Sequence, residues 1–510
     1  MPTTAPPPAP PAPLAGRREW TALGVLMLPL LLVSMDVSVL YFAIPFIGRD
    51  LGPSATQQLW ILDVYGFVLA GLLITMGALG DRIGRRRLLL CGAAAFGAAS
   101  AAAAYATTPE ALIAVRALLG IGGATLMPST LALIRNLFRD ARQRARAITV
   151  WTGVLTAGLS LGPVVSGLLL EHFWWGSVFL INLPAMLVLL AAGPFLLPEF
   201  KTPAKGRFDL TSAALSLAAV LPVIHGIKEL AKNGPELFPL LTVAAGLALG
   251  LLFLRRQRGL ASPMIDLPLL RERTFGGAML ANVIAMFATV GFAVFFTQYL
   301  QSVRGMSPLE AALWSLVPSA VVPVLAPLGA ALAARVDRAY VMTGGFLLAA
   351  GGFLWLTRVS ADSALWYVLT GCALYVGGIV VAMTLANEMA LGAAPPERAG
   401  SAAAVLESGT EFGGALGMAV LGSIGAAVYT RGMADFAPGP VRETLGGALA
   451  SAARLPASAG EPLVLAARTA FTDGLNLAAL GAAGVMLGAA FFSWGVLRRR
   501  PSDAPVGAEL

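Results

Sequence analysis

From residue 21 to residue 497 the chain alternates between long apolar runs and short polar joints, and no other property limits its fold as tightly. A run of about 20 apolar residues is what a helix needs to cross the roughly 30 Å hydrocarbon core of a bilayer. In lipid a span must satisfy its own backbone hydrogen bonds, so it is either a helix or a strand of a closed barrel. Barrel strands alternate apolar and polar residues, whereas these runs are continuous. The sequence therefore predicts an all-α polytopic membrane protein. Only 12% of its 510 residues are charged, about half the share found in soluble domains.

Segmentation by apolar runs predicts 14 transmembrane helices, over 21–47, 57–80, 87–107, 110–137, 146–170, 175–197, 208–230, 236–255, 274–301, 309–334, 340–358, 363–391, 400–430 and 466–497. The stretch 431–465 is too polar to span and is expected to form an outer-face loop or short hairpin. With the N-terminus inside, 25 of the 35 Lys and Arg fall on the cytoplasmic side, which is the bias that orients membrane proteins. Both termini are thus expected in the cytoplasm. The same scatter of basic residues through short joints excludes nucleic acid as a partner, despite a net charge of +8. Cys91 and Cys372 lie in apolar runs, and His172 and His225 are far apart. They supply neither a disulfide framework nor a metal site, and no cofactor is implied. Residues 1–19, rich in Pro and Ala, read as a disordered cytoplasmic tail rather than a secretory leader. Residues 498–510 read as a second tail.

A weak internal repeat sets the organisation. GALGDRIGRRRLLL (Gly77 to Leu90) follows the second predicted helix, and GAALAARVDRAYVM (Gly329 to Met342) follows the tenth. The second copy lacks an acid aligned with Asp81. The expected architecture is a six-helix bundle over 20–198, a two-helix insert over 199–258 and a second six-helix bundle over 259–497. Two related halves around a central site are the plan of many secondary transporters.

These motifs carry a family resemblance. GALGDRIGRR resembles the loop signature between helices 2 and 3 of the major facilitator superfamily. GLSLGPVVSG (Gly158 to Gly167) resembles the antiporter signature of its helix 5, with Ser166 in place of a glycine. MDVSVLYFAIP resembles the helix 1 signature of the 14-helix drug:proton antiporters, the family that includes bacterial quaternary-ammonium and multidrug exporters. The likeness covers nearly the whole chain. It implies the major facilitator fold and residence in the bacterial inner membrane. It implies export of hydrophobic, mostly cationic drugs (quaternary ammonium compounds, dyes, biguanides) in exchange for protons, and hence antibiotic resistance rather than an enzyme activity.

The residues themselves point the same way. Asp36 sits within an apolar run, roughly 20 Å from the inner end of its helix at 1.5 Å per residue. A carboxylate at mid-bilayer costs about 2.5–3.5 kcal/mol on insertion scales. It must therefore face a cavity or the bundle interior, as a group that gains and loses a proton or as a buried, salt-bridged strut. Asp63 lies nearer the outer end of its helix, where it is either a solvated helix-end charge or a binding group. Glu407 and Glu411 are four residues apart and share one helix face. Two carboxylates that close, in a low dielectric, are seldom both ionised unless a cation arrives. The plainer alternative puts one or both at the cytoplasmic interface, and Glu388 is open between the same two readings. Arg116 is the one basic residue in the middle of the fourth run; it matches the family's helix 4 arginine, implicated in proton coupling, or is a purely structural partner for an acid. His225 and Lys228 are expected at the interface, with no role.

Proton coupling is thus expected of Asp36, Arg116 and Glu407. Substrate binding is expected of Asp36, Asp63, Glu407 and Glu411, with Tyr41, Trp60, Phe292 and Phe296 offering aromatic faces to a cation. A gating loop is expected from Gly77, Gly80, Asp81, Arg82, Gly84 and Arg85, with Asp81 against the N-terminus of a neighbouring helix. Gly158, Gly162, Pro163 and Gly167 form the close-packing face of the antiporter signature. The partners expected are hydrophobic cations, protons and lipid, with the chain acting as a monomer. The alternative function is export of a self-made metabolite such as an antibiotic.

Overall fold

The computed structural model describes residues 14–201, 209–234, 236–260, 265, 267–394, 399–436 and 439–498. The expected tail residues 1–13 and 499–510 lie outside that set. Arg17, Arg18 and Glu19, expected in the first tail, are instead the opening turn of a helix. There the Glu19 carboxylate accepts the Gly16 N–H at 2.7 Å, which satisfies one of the donors that a helix start leaves free.

The helices are α1 (Arg17–Asp50), α2 (Ala55–Ile83), α3 (Arg85–Ala104), α4 (Pro109–Leu137), α5 (Ala141–His172), α6 (Ser177–Leu180) and α7 (Asn182–Leu196). They continue with α8 (Leu210–Asn233), α9 (Leu237–Gly259), α10 (Leu267–Arg271), α11 (Arg273–Gln298), α12 (Pro308–Leu316) and α13 (Val322–Ala333). The last are α14 (Arg338–Leu356), α15 (Leu365–Ala393), α16 (Ala399–Gly432), α17 (Pro440–Glu443), α18 (Leu445–Ala452) and α19 (Ala457–Val496). Among the described residues there is no strand, and 14 spans are long and apolar enough to cross a membrane.

The tenth span is not one helix. Pro318, Pro323 and Pro327 each lack a backbone N–H, and the chain passes from α12 through a 3₁₀ turn at Pro318–Val321 into α13. The stretch 431–465 is largely helical. It holds α17 and α18, and its last nine residues open the 40-residue α19. A side chain added at Gly446 of α18 would meet Pro45 and Gly48 of α1, so this segment packs against the bundle rather than looping free.

Helices α1 to α7 pack on one another, α11 to α16 and α19 form a second set, and α8 and α9 pair together. The two sets meet along two seams, α2 against α16 and α5 against α12. α8 rests on α2 and α16, over the first seam.

The seams are tight at one end of the bundle. A Cβ on Gly167 of α5 would come within 2.8 Å of the backbone at Pro308 and Leu309, and one on Gly422 of α16 within 2.4 Å of Leu59. The opposite end carries the loop Arg82–Arg87. Toward it, Thr149, Thr152, Thr156 and Ser160 of α5 are exposed, and Gly153 has nothing within 4 Å of its Cβ position.

Candidate functional site

α2 organises the interior because it shows different residues to different neighbours. Ile61 and Tyr65 share one face; Trp60, Asp63 and Phe67 share another.

The first face meets α4. Glycines permit the approach: a Cβ on Gly120 would lie 2.8 Å from the Tyr65 carbonyl oxygen, and one on Gly123 would lie 3.0 Å from the Tyr65 hydroxyl. α4 places Arg116 there, with no solvent exposure. Arg116 Nη1 donates to Asp36 Oδ2 of α1 in a buried ion pair. Its Nε donates to the Ile61 carbonyl at 3.1 Å, and the guanidinium carbon lies 4.7 Å from the centre of the Tyr65 ring. One side chain therefore ties together α1, α2 and α4. Asp36 is not a lone acid in oil.

The second face meets α8. Lys228 Nζ lies 2.8–2.9 Å from the Asp63 carboxylate oxygens and 3.8 Å from the centre of the Trp60 ring. Neither side chain of the ion pair has any exposure. Lys228, expected at the interface, is thus fully buried, and Asp63 is not a solvated helix-end charge. Sequence position misled here because the partner is 165 residues away on another helix.

Glu407 and Glu411 of α16 are different. Both are partly exposed, and neither belongs to an ion pair among the described residues. Glu411 lies within electrostatic reach of Tyr41 and Tyr65 across the seam, and of Glu407 on its own helix. The hydroxyls of Tyr41 and Tyr65 are buried with no hydrogen-bond partner among the described residues. An unpaired buried hydroxyl is costly. Two of them beside unpaired carboxylates mark a place where water, a proton or a ligand can be accommodated.

The structure thus brings Asp36, Arg116, Tyr41, Glu407 and Glu411 to one region, with Asp63 and Trp60 adjoining on the far face of α2. It does not bring Phe292 there. That ring is enclosed by Phe353 and Tyr375, with centroids 5.4 and 5.8 Å away. Phe296, one turn further along α11, is buried as well.

The antiporter-signature glycines have a specific task. A Cβ on Gly158 would fall 1.8 Å from Ser34 Oγ, and one on Gly162 would fall 2.1 Å from Ser38 Oγ. α5 therefore lies directly on α1 beside Asp36. Ser166, which stands where the signature has glycine, donates to the Val39 carbonyl at 2.9 Å and adds a hydrogen bond to the same contact. Pro163 lies inside α5 within this stretch.

In the loop after α2, Asp81 pairs with Arg85 at 2.7 Å. Arg85 is the first residue of α3, and Asp81 meets its side chain rather than the backbone N–H groups of a helix start. Gly84 has φ +110°, a conformation that disfavours any side chain. The Arg86 N–H donates to Glu199 Oε1 at 3.1 Å, and the Arg85 N–H donates to the Phe200 carbonyl at 3.1 Å. Gly80 packs under the Arg85 side chain, Gly77 makes ordinary contact with Pro128, and Arg82 closes α2.

Sequence reasoning missed three features. Glu199 is a lone acid within a basic joint. Lys228 is a cation one helix away from an unexplained acid. The α5 hydroxyls recur at helical spacing, and each is bonded to its own backbone. The row lines an open cavity along α5, at the height of Gly153.

Comparison with known proteins places this arrangement. The profile of the Major Facilitator Superfamily matches residues 26–418. The chain is 44% identical to the multidrug efflux pump LfrA of Mycolicibacterium smegmatis, over 93% of this chain and 95% of that one. It is 35% identical to the methyl viologen resistance protein SmvA of Salmonella typhimurium, over 92% and 96% of the two chains. Among solved structures, a bacterial homologue of the human lysosomal transporter Spinster, in an inward-facing unoccupied conformation, superposes with a TM-score of 0.66. That match covers 96% of this chain and 100% of that one at 18% identity, a likeness of fold alone.

Proposed function

This chain belongs to the major facilitator superfamily, and from that premise we propose that it is a multidrug exporter that exchanges hydrophobic cations for protons across a bacterial inner membrane. The reading fits a multi-pass membrane protein with a small-molecule substrate. Its finer points are the cationic charge of the substrate, the proton as counter-ion, the cytoplasmic termini and the monomeric state.

One observation carries the reading. Of the four acids in the interior, Asp36 and Asp63 each have a basic partner in an ion pair, whereas Glu407 and Glu411 have none among the described residues. Two carboxylates four residues apart on one face of a membrane helix are costly to keep charged together, so protons or a bound cation balance them. A cation that binds there displaces a proton, and a returning proton displaces the cation. That competition is antiport in its simplest form. The Asp36–Arg116 pair stays neutral as a unit. It holds α1, α2 and α4 in place around Tyr41 and Tyr65.

The two six-helix sets rock about this site. The Arg82–Arg87 end is cytoplasmic, and the bundle is closed at the other end and open toward the cytoplasm, with the α5 hydroxyl row along the entry path. Both seams close within a single chain, so a monomer suffices. The loop and Glu199 form a cytoplasmic latch that governs turnover rather than affinity.

The test is efflux of a fluorescent monovalent cation from proteoliposomes with and without a pH gradient. Efflux that follows the gradient and acidifies the cation-loaded side supports antiport. Efflux indifferent to the gradient, at equal membrane potential, refutes it.

A further inference from the structure

Asp63 and Trp60 form the pocket chemistry that recognises an ammonium ion, a carboxylate beside an aromatic face. In this protein that pocket is already filled. We propose that Lys228 is a built-in competitor for cationic substrate: its ammonium occupies the Asp63–Trp60 pocket and so withholds Asp63 from the transport site as a further countercharge. This inference rests on the reading of cation export given above.

Three observations support it. The Lys228 ammonium contacts both elements of the pocket at once, 2.8 Å from Asp63 Oδ2 and 3.8 Å from the Trp60 ring centre. The lysine belongs to α8, which packs over the α2–α16 seam rather than within either six-helix set. The same face of α2 reaches the helix that carries the glutamates: one turn along α2 from Asp63, the Phe67 ring meets Phe412 of α16 with centroids 6.2 Å apart, and Phe412 follows Glu411 in sequence. Trp60 is itself partly exposed. A purely structural strut would need only the carboxylate. The aromatic contact, on a helix face that also meets α16, makes this an occupied cation subsite.

With Lys228 in place, a substrate meets Glu407 and Glu411 only. Without it, Asp63 becomes a further countercharge, and a molecule with two ammonium groups can span both places.

The experiment measures binding of decyltrimethylammonium and of its bis-quaternary counterpart decamethonium, at pH 8, to the purified full chain. The variants are Lys228→Met, Lys228→Arg and Lys228→Met/Asp63→Asn. The expected result is that Lys228→Met raises the preference for decamethonium over decyltrimethylammonium by about tenfold or more, the size of one charge-assisted contact. Lys228→Arg and the double variant should keep the wild-type preference, the first because it keeps the cation and the second because it removes the freed carboxylate. A Lys228→Met preference equal to wild type overturns the inference, as does a double variant that retains the raised preference. If Lys228→Met does not fold, Lys228→Gln, which can still donate to Asp63 but carries no charge, decides: it should raise the preference for decamethonium, and an unchanged preference overturns the proposal. Failure of decyltrimethylammonium to bind wild type refutes cation export itself, a distinct outcome.

Discussion

Arg116→Leu leaves the Asp36 carboxylate buried with no countercharge. Removing one member of a buried pair costs about 3–5 kcal/mol, because the remaining charge is left in a low dielectric. This substitution also removes the 3.1 Å bond to the Ile61 carbonyl and the contact over the Tyr65 ring. Those two losses are worth about 1–2 kcal/mol together. They are shared by the double variant Asp36→Asn/Arg116→Leu, in which no buried charge is stranded. The double variant should therefore be more stable than Arg116→Leu alone, and the coupling between the sites should reach about 2–3 kcal/mol. The assay is SDS-driven unfolding in mixed micelles, with all four corners of the cycle measured at pH 7. Single effects that simply add, with a coupling below about 0.5 kcal/mol, would refute a charged Asp36–Arg116 pair.

Two further outcomes follow from geometry. Gly162→Ala should impair folding and be rescued by Ser38→Ala, since only Ser38 Oγ, at 2.1 Å, blocks the new methyl. Gly158→Ala should resist rescue by Ser34→Ala, because the Leu31 carbonyl oxygen remains at 2.9 Å, while Gly153→Ala should be neutral. Thermal stability of these five variants checks this. At the loop, Gly84→Val meets Glu199 Oε1 at 2.3 Å and also forces a side chain onto φ +110°. It should slow turnover at least as strongly as Arg85→Ala, with substrate affinity changed less than about twofold in both; a large affinity loss at unchanged turnover contradicts the latch.

The membrane spans were legible because a bilayer demands one property, apolar length, and the sequence displays it openly. The breaks within spans were legible only in part. Pro318, Pro323 and Pro327 announce a disrupted tenth span, yet a count of apolar residues reads across them. The stretch 431–465 is polar enough to be excluded from the membrane, but polarity does not separate a loop from short helices packed on a bundle. Four acids could be found in the sequence because a carboxylate in an apolar run is conspicuous. Their partners could not. Arg116 is 80 residues from Asp36 and Lys228 is 165 from Asp63, and only the packing of α2 against α4 and α8 brings them together. Lys228 in particular sits close to a helix end, where a lysine ordinarily reaches the interface.

The central claim is that Glu407 and Glu411 hold the exchangeable proton. The direct measurement is proton release on binding of a monovalent cation to purified protein, read with a pH indicator in weak buffer. Wild type should release about one proton per cation bound, as charge balance in a buried site requires. Glu407→Gln/Glu411→Gln should release none, while Asp63→Asn/Lys228→Met should release protons as wild type does. Undiminished release from the double glutamine variant would contradict the account and move the exchange to Asp36.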